Sequence, residues 1–169
     1  TVQEMLDRTL NYVLDEKKFK TFSSSRTDTM VSANKMSILL STYGKIDHEK
    51  VLKALNHNLP PDIKALSLDP QNDKINIIGD VKEKTYHYYF CFGSKMNPLA
   101  APYMTNILQE LDIPLMQEGI KYFLGERNFK HFCYKGNEDK VYIRELSDIQ
   151  LITNETLSAS FFPKESYVL

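Results

Sequence analysis

The segment FKTFSSSRTDTMVSANKMSILLST, Phe19 to Thr42, decides how this chain is read. Phe19 to Ser24 reads as a short strand, and a second strand is expected from about Lys35 to Thr42. Between them three serines end the apolar pattern, and Arg26, Thr27 and Asp28 follow before any new apolar run begins. An Arg and an Asp two apart in a turn have two readings. They are a solvated, turn-forming pair, or a carboxylate held for chemistry. On the residues alone the first reading is the commoner one.

Outward from this frame, Val2, Met5, Leu6, Leu10, Val13 and Leu14 recur at helical spacing, with Gln3, Glu4, Asp7, Arg8 and Asn11 on the other face. The pattern predicts an amphipathic helix over 2–14. After the second strand, Asp47 is placed to cap a helix running to about Asn56, with Val51, Leu52 and Leu55 inward. The prolines of LPPD stop it. A strand is expected over 63–68. In KTYHYYFCF, Tyr86, Tyr88, Phe90 and Phe92 share one face at period two and His87 and Cys91 the other, which suits a central strand. NPLAAPY is a proline-broken connection. A second strong helix is predicted over 114–124, with Leu115, Met116, Ile120, Phe123 and Leu124 inward and Gly125 as its stop. Segments 141–152 and 156–162 are expected to form a hairpin around TNE. A helix feeding two strands and then another helix looks like a βαββαβ unit without its leading strand.

The 169 residues are 42% hydrophobic and 25% charged, which is ordinary globular composition. Cys91 and Cys133 lie far apart without metal-ligand spacing and read as reduced thiols. No apolar run approaches the length of a membrane span. A cytoplasmic protein is the expectation. The net charge of −1 excludes a strongly basic nucleic-acid-binding domain but not a local basic groove. Three basic clusters permit one: Lys17, Lys18 and Lys20; Lys82 and Lys84; and Arg127, Lys130, His131 and Lys135. Each alone reads as a solvated face. No ligand cluster or phosphate-cradling glycine loop is present.

Four blocks, SSSRTDTMV, LNHNLPPDIKAL, KEKTYHYYF and LMQEGIKYFLGERNFKHFCYK, stand in an order that resembles the tRNA pseudouridine synthase A family along nearly the whole chain. The resemblance implies an enzyme that isomerises uridine to pseudouridine in transfer RNA, at anticodon-arm positions, without metal or organic cofactor. It places the catalytic carboxylate on Asp28, the aromatic residue that packs on the target uracil on Tyr86, and an RNA contact on Arg26. It implies an α+β architecture of two ferredoxin-like lobes, 1–78 with the Arg-Thr-Asp turn and 79–169 incomplete. Mainly antiparallel sheets would form an RNA-binding cleft around Asp28, in a protein that is a homodimer when whole.

The chain departs from the family pattern in three places. Thr29, Met30, Val31, Ser32 and Ala33 replace the usual Ala-Gly-Val-His-Ala. The family's first strand is not found before Thr1, nor its late Arg-bearing segment after Leu169. The expectation is therefore a fragment, inactive by itself, because the late Arg supplies the charge that favours an ionised carboxylate. Arg26 is the cation of the turn able to supply part of it. The rival reading is a catalytically inactive RNA-binding or interaction module of the same fold, which the changes at Met30 and Ser32 keep open. Without the resemblance, Tyr86 reads as core, and Phe129 and Phe132 as packing residues.

Overall fold

The computed structural model describes residues 1–15, 18–71, 74–133 and 141–169. Lys17 and Lys135, named above in basic clusters, lie outside them. The described chain is α+β and divides into two units, Thr1–Lys84 and Thr85–Leu169. No described helix is long and apolar enough to cross a membrane.

Helix α1, Val2–Val13, begins with a reciprocal cap. The Thr1 hydroxyl accepts from Glu4 N at 3.2 Å while the Glu4 side chain returns to the Thr1 backbone. This arrangement satisfies two N–H groups that the helix itself leaves unbonded. Strands β1, Phe19–Ser23, and β2, Ile38–Thr42, pair antiparallel with Thr21 opposite Leu40. Helix α2, His48–Asn58, starts where Asp47 Oδ1 accepts from Lys50 N at 3.1 Å and ends at Leu59 before Pro60. Leu10 of α1 and Leu14, its C-cap residue, meet Val51 and Leu55 of α2. Phe19 and Leu40 pack against that seam from the inner face of the ribbon. Thr21 ties the layers together, donating to Asp7 Oδ1 at 2.6 Å and accepting from Gln3 Nε2 at 3.2 Å.

In the second unit β3, Tyr89–Phe92, is central. Strand β4, Thr105–Ile107, lies parallel on one side of it, reached through a short 3₁₀ turn at Pro98–Ala100. Such a parallel step needs a connection of this length. On the other side, β8, Tyr167–Val168, runs antiparallel and pairs in turn with β7, Ile152–Thr153. Cys91, Ala100 and Met104 are buried on one side of the sheet with Phe161 and Phe162. Phe90, 2% exposed, stacks on Tyr167 at 5.8 Å. Strands β5, Gly125–Asn128, and β6, Ile143–Leu146, form a separate antiparallel ribbon.

Four expected elements differ. Residues 63–68 form no strand. The Asn56 amide brackets Ala65 instead, donating to its carbonyl and accepting from its N–H, both at 2.9 Å. A side chain thus supplies the two bonds that a strand partner would have given. The helix expected over 114–124 is a short α3, Ile113–Gly119, capped by Asp112. It tightens into a 3₁₀ turn over Ile120–Phe123. Gly119 sits at the change of pitch, where a glycine weakens a helix by about 1 kcal/mol. The apolar stripe breaks with the pitch, and Leu115 is 63% exposed. Gly125 does stop the helical stretch, at φ +78°.

The hairpin of 141–152 with 156–162 is absent too. The Asn154 carbonyl accepts from Thr156 N and Leu157 N, and its amide nitrogen donates to Leu157 O at 2.9 Å and to Ser166 Oγ at 3.0 Å. That knot turns the chain so that β7 meets β8, while β6 pairs with β5. The aromatic strand is shorter than expected, because Tyr86 and Tyr88 precede β3.

Two substitutions separate the seam from the broken stripe. Leu10, 1% exposed, should lose roughly 2–5 kcal/mol of stability on replacement by Ala. Leu115→Ala should change it by less than about 0.5 kcal/mol. Urea unfolding with an unchanged slope measures both. Equal losses would show that Leu115 is as well packed as Leu10.

Candidate active site

The β1–β2 ladder fixes both ends of the loop that carries Asp28. Its last rung is Ser24 N donating to Ser37 O at 3.0 Å. The three serines have separate tasks. The Ser23 hydroxyl donates to Ser25 O at 2.7 Å and lies 3.1 Å from Met36 Sδ, joining the outgoing and returning arms of the loop. Ser24 is buried. The Ser25 hydroxyl accepts from Lys84 Nζ at 3.3 Å, so the far end of the unit anchors the loop. Short hydroxyl side chains suit this work because they bond backbone and neighbours without filling the turn.

The tip is a four-residue turn. Val31 N donates to Asp28 O at 3.2 Å, and Met30 at the third position has φ +64°. A positive φ at that position alone is the signature of a type II turn, which glycine adopts without strain. Met30 occupies the place where the resembled pattern has Gly. The backbone there still adopts the glycine geometry, and the Met side chain is 82% exposed.

Arg26 and Asp28 do not form the expected turn pair. Both are exposed, and among the described residues neither side chain has a hydrogen bond or ion pair. Asp28 presents two acceptor oxygens to whatever enters from solvent. Tyr86 belongs to the second unit and is 75% exposed, so it is not the core residue that its aromatic neighbours suggest. The core role falls to Phe90. Phe132 packs edge to face on both Phe123 and Phe129, which stack on one another, at ring separations of 5.5 to 6.3 Å.

Two features escape sequence reasoning. Lys84 reads in the sequence as a strand-flanking charge, yet it reaches the loop through Ser25, a relation that no local pattern encodes. The positive φ at Met30 is signalled only by the glycine of the resembled pattern. Elsewhere, burial pushes the Cys91 thiol up from its ordinary range, against a lowering hydrogen bond from Asn106. Among the described residues no three His, Cys, Asp or Glu side chains are grouped to hold a metal ion.

These observations define an α+β protein that exposes one uncompensated carboxylate on a strand–loop–strand frame. The chain is 29% identical over 152 residues to tRNA pseudouridine synthase A of Pseudothermotoga lettingae, covering 90% of this chain and 62% of that protein. It is 31% identical over 157 residues to the protein of the same name from Fervidobacterium nodosum, covering 90% and 62%. With that of Clostridium botulinum strain Alaska E43 it shares 28% over 168 residues, 99% of this chain and 68% of the other. The chain thus resembles tRNA pseudouridine synthase A proteins along nearly all of its length and spans 62% to 68% of theirs. No family model matches it.

The turn supplies a stability test. A left-handed conformation costs an L-residue roughly 1–2 kcal/mol, and glycine escapes it at some expense of unfolded-state entropy. Met30→Gly should therefore raise stability by about 0.5–1 kcal/mol in urea unfolding. A loss of that size would mean that the Met30 side chain makes a contact worth more than the strain.

Proposed function

We propose that this chain is the catalytic part of a tRNA pseudouridine synthase, with Asp28 as its reacting carboxylate. The observation that carries the reading is Asp28 itself, exposed and uncompensated on a loop fixed at both ends. The similarity, along nearly all of this chain, to proteins named for this activity supports it. The isomerisation breaks the bond from the ribose C1′ to uracil N1, turns the ring over and joins C1′ to C5, whose proton then leaves. It needs a carboxylate able to bond carbon or accept a proton, and an ionised Asp does either.

The target nucleotide must leave its stack to meet such a group, at a cost of a few kcal/mol. Tyr86 is the proposed face under the extruded uracil, and stacking there recovers roughly 1–3 kcal/mol. Its exposure leaves a ring face open for that contact. Arg26 is the proposed contact to RNA around the flipped nucleotide, its guanidinium unengaged by any described carboxylate. Anticodon-arm uridines are the proposed targets, a homodimer the proposed assembly, and the cytoplasm the proposed location.

The test replaces one atom. In the whole protein Asp28→Asn should abolish pseudouridine formation in transfer RNA and leave RNA affinity within about tenfold, or ~1.4 kcal/mol. The amide keeps the shape but cannot act as nucleophile or base. Turnover retained by the Asn variant would remove Asp28 from the mechanism. A parent protein that binds transfer RNA without forming pseudouridine would establish the binding-module reading instead.

A further inference from the structure

The β5–β6 ribbon pairs like with like. Arg127 stands directly opposite Arg144, and Glu126 directly opposite Glu145. Directly opposed residues of an antiparallel pair share a face, and the next pair along points the other way. One face of the ribbon therefore carries two arginines and the other two glutamates. Like charges so placed repel, where opposite charges would attract. A slip of one residue would set Arg127 opposite Glu145, so the observed register keeps the charges sorted at an electrostatic cost.

Among the described residues neither arginine has a carboxylate partner. Both are held by main-chain carbonyls. Arg127 donates from Nε to Tyr122 O at 3.2 Å and from Nη1 to Glu126 O at 2.9 Å. Arg144 donates from Nη1 to Val141 O at 3.0 Å and to Ile143 O at 2.6 Å. Carbonyl bonds orient a guanidinium without cancelling its charge, and the remaining N–H groups stay open to solvent on two exposed side chains. Sorted, oriented and unneutralised arginines suit an oxyanion that accepts from several N–H groups at once.

We infer that the Arg127–Arg144 face of this ribbon binds a phosphodiester of the RNA backbone. The assignment to RNA rests on the function proposed above. The site lies away from the Asp28 loop in sequence and adds affinity and register to the substrate, not chemistry. The Glu126–Glu145 face would repel the same backbone, so the ribbon also fixes which side the RNA takes.

The experiment measures transfer-RNA affinity of the whole protein against salt concentration, for the parent and for Arg127→Gln, Arg144→Gln and the double variant. Every phosphate that the protein ceases to neutralise takes roughly 0.7–0.9 off the slope of log affinity on log salt. The double variant should bind about tenfold more weakly at physiological salt, with a slope shallower by roughly 0.7–0.9. Its urea midpoint should stay level or rise, since the repulsion is relieved. Arg→Lys at both positions keeps the charge and should keep the parent slope.

An unchanged slope in the double variant overturns the inference, whatever happens to affinity. So does an equal fall in binding to polyglutamate in parallel, which would assign the face to an acidic polypeptide. If the parent forms pseudouridine and the slope is unchanged, only this inference falls. If the parent neither binds transfer RNA nor forms pseudouridine, both fall.

Discussion

A two-stranded ribbon is marginal in water without something to cover one face. The seam of Leu10, Leu14, Val51 and Leu55 provides that cover for β1 and β2, and the first unit depends on it. Two capped helices bring these residues to one line, and Phe19 and Leu40 complete the contact from the ribbon side. With the ribbon fixed, its last rung between Ser24 and Ser37 fixes the spacing of the loop ends. The position of Asp28 follows from that spacing and from the serine bonds. A reacting group on a loop needs this kind of support, because loops tolerate motion that chemistry does not.

Most elements of the first unit are legible because each carries its own local signal. Helices α1 and α2 have periodic apolar faces and capping residues at the right offset, and the strands flank a clear turn. Where the reading fails, the chain path is decided by single polar side chains acting at a distance. Asn56 in the first unit and Asn154 in the second each replace strand pairing with a side-chain clamp. Neither asparagine differs in the sequence from any solvated one. Gly119 is visible, but its effect on pitch depends on what the following turn can pack against.

At the candidate site the residue types are legible and their relations are not. Asp28 and Arg26 stand out from a serine-rich turn, yet whether they pair depends on backbone angles that the residue names do not give. Lys84 and Ser25 meet only because the unit folds back on itself. Periodicity makes Tyr86 look like a core residue, since a period-two pattern says which face is shared but not where the strand begins. The ordering of four sequence blocks is legible without the structure, and the similarity to proteins named tRNA pseudouridine synthase A runs through all of them.

The pairing of Tyr89 with Val168, extended by the mutual main-chain bonds of Tyr88 and Leu169, places a late segment at the middle of the four-stranded sheet. During synthesis the ribosome makes β3 well before β8 exists. Its strand edge must then wait, open on one side, while the intervening residues emerge. The first unit has no such delay, since its helices and ribbon are near neighbours along the chain. Translation therefore completes the elements of the first unit ahead of the sheet. In that interval the open edge of β3 is the part of the chain most exposed to wrong pairing.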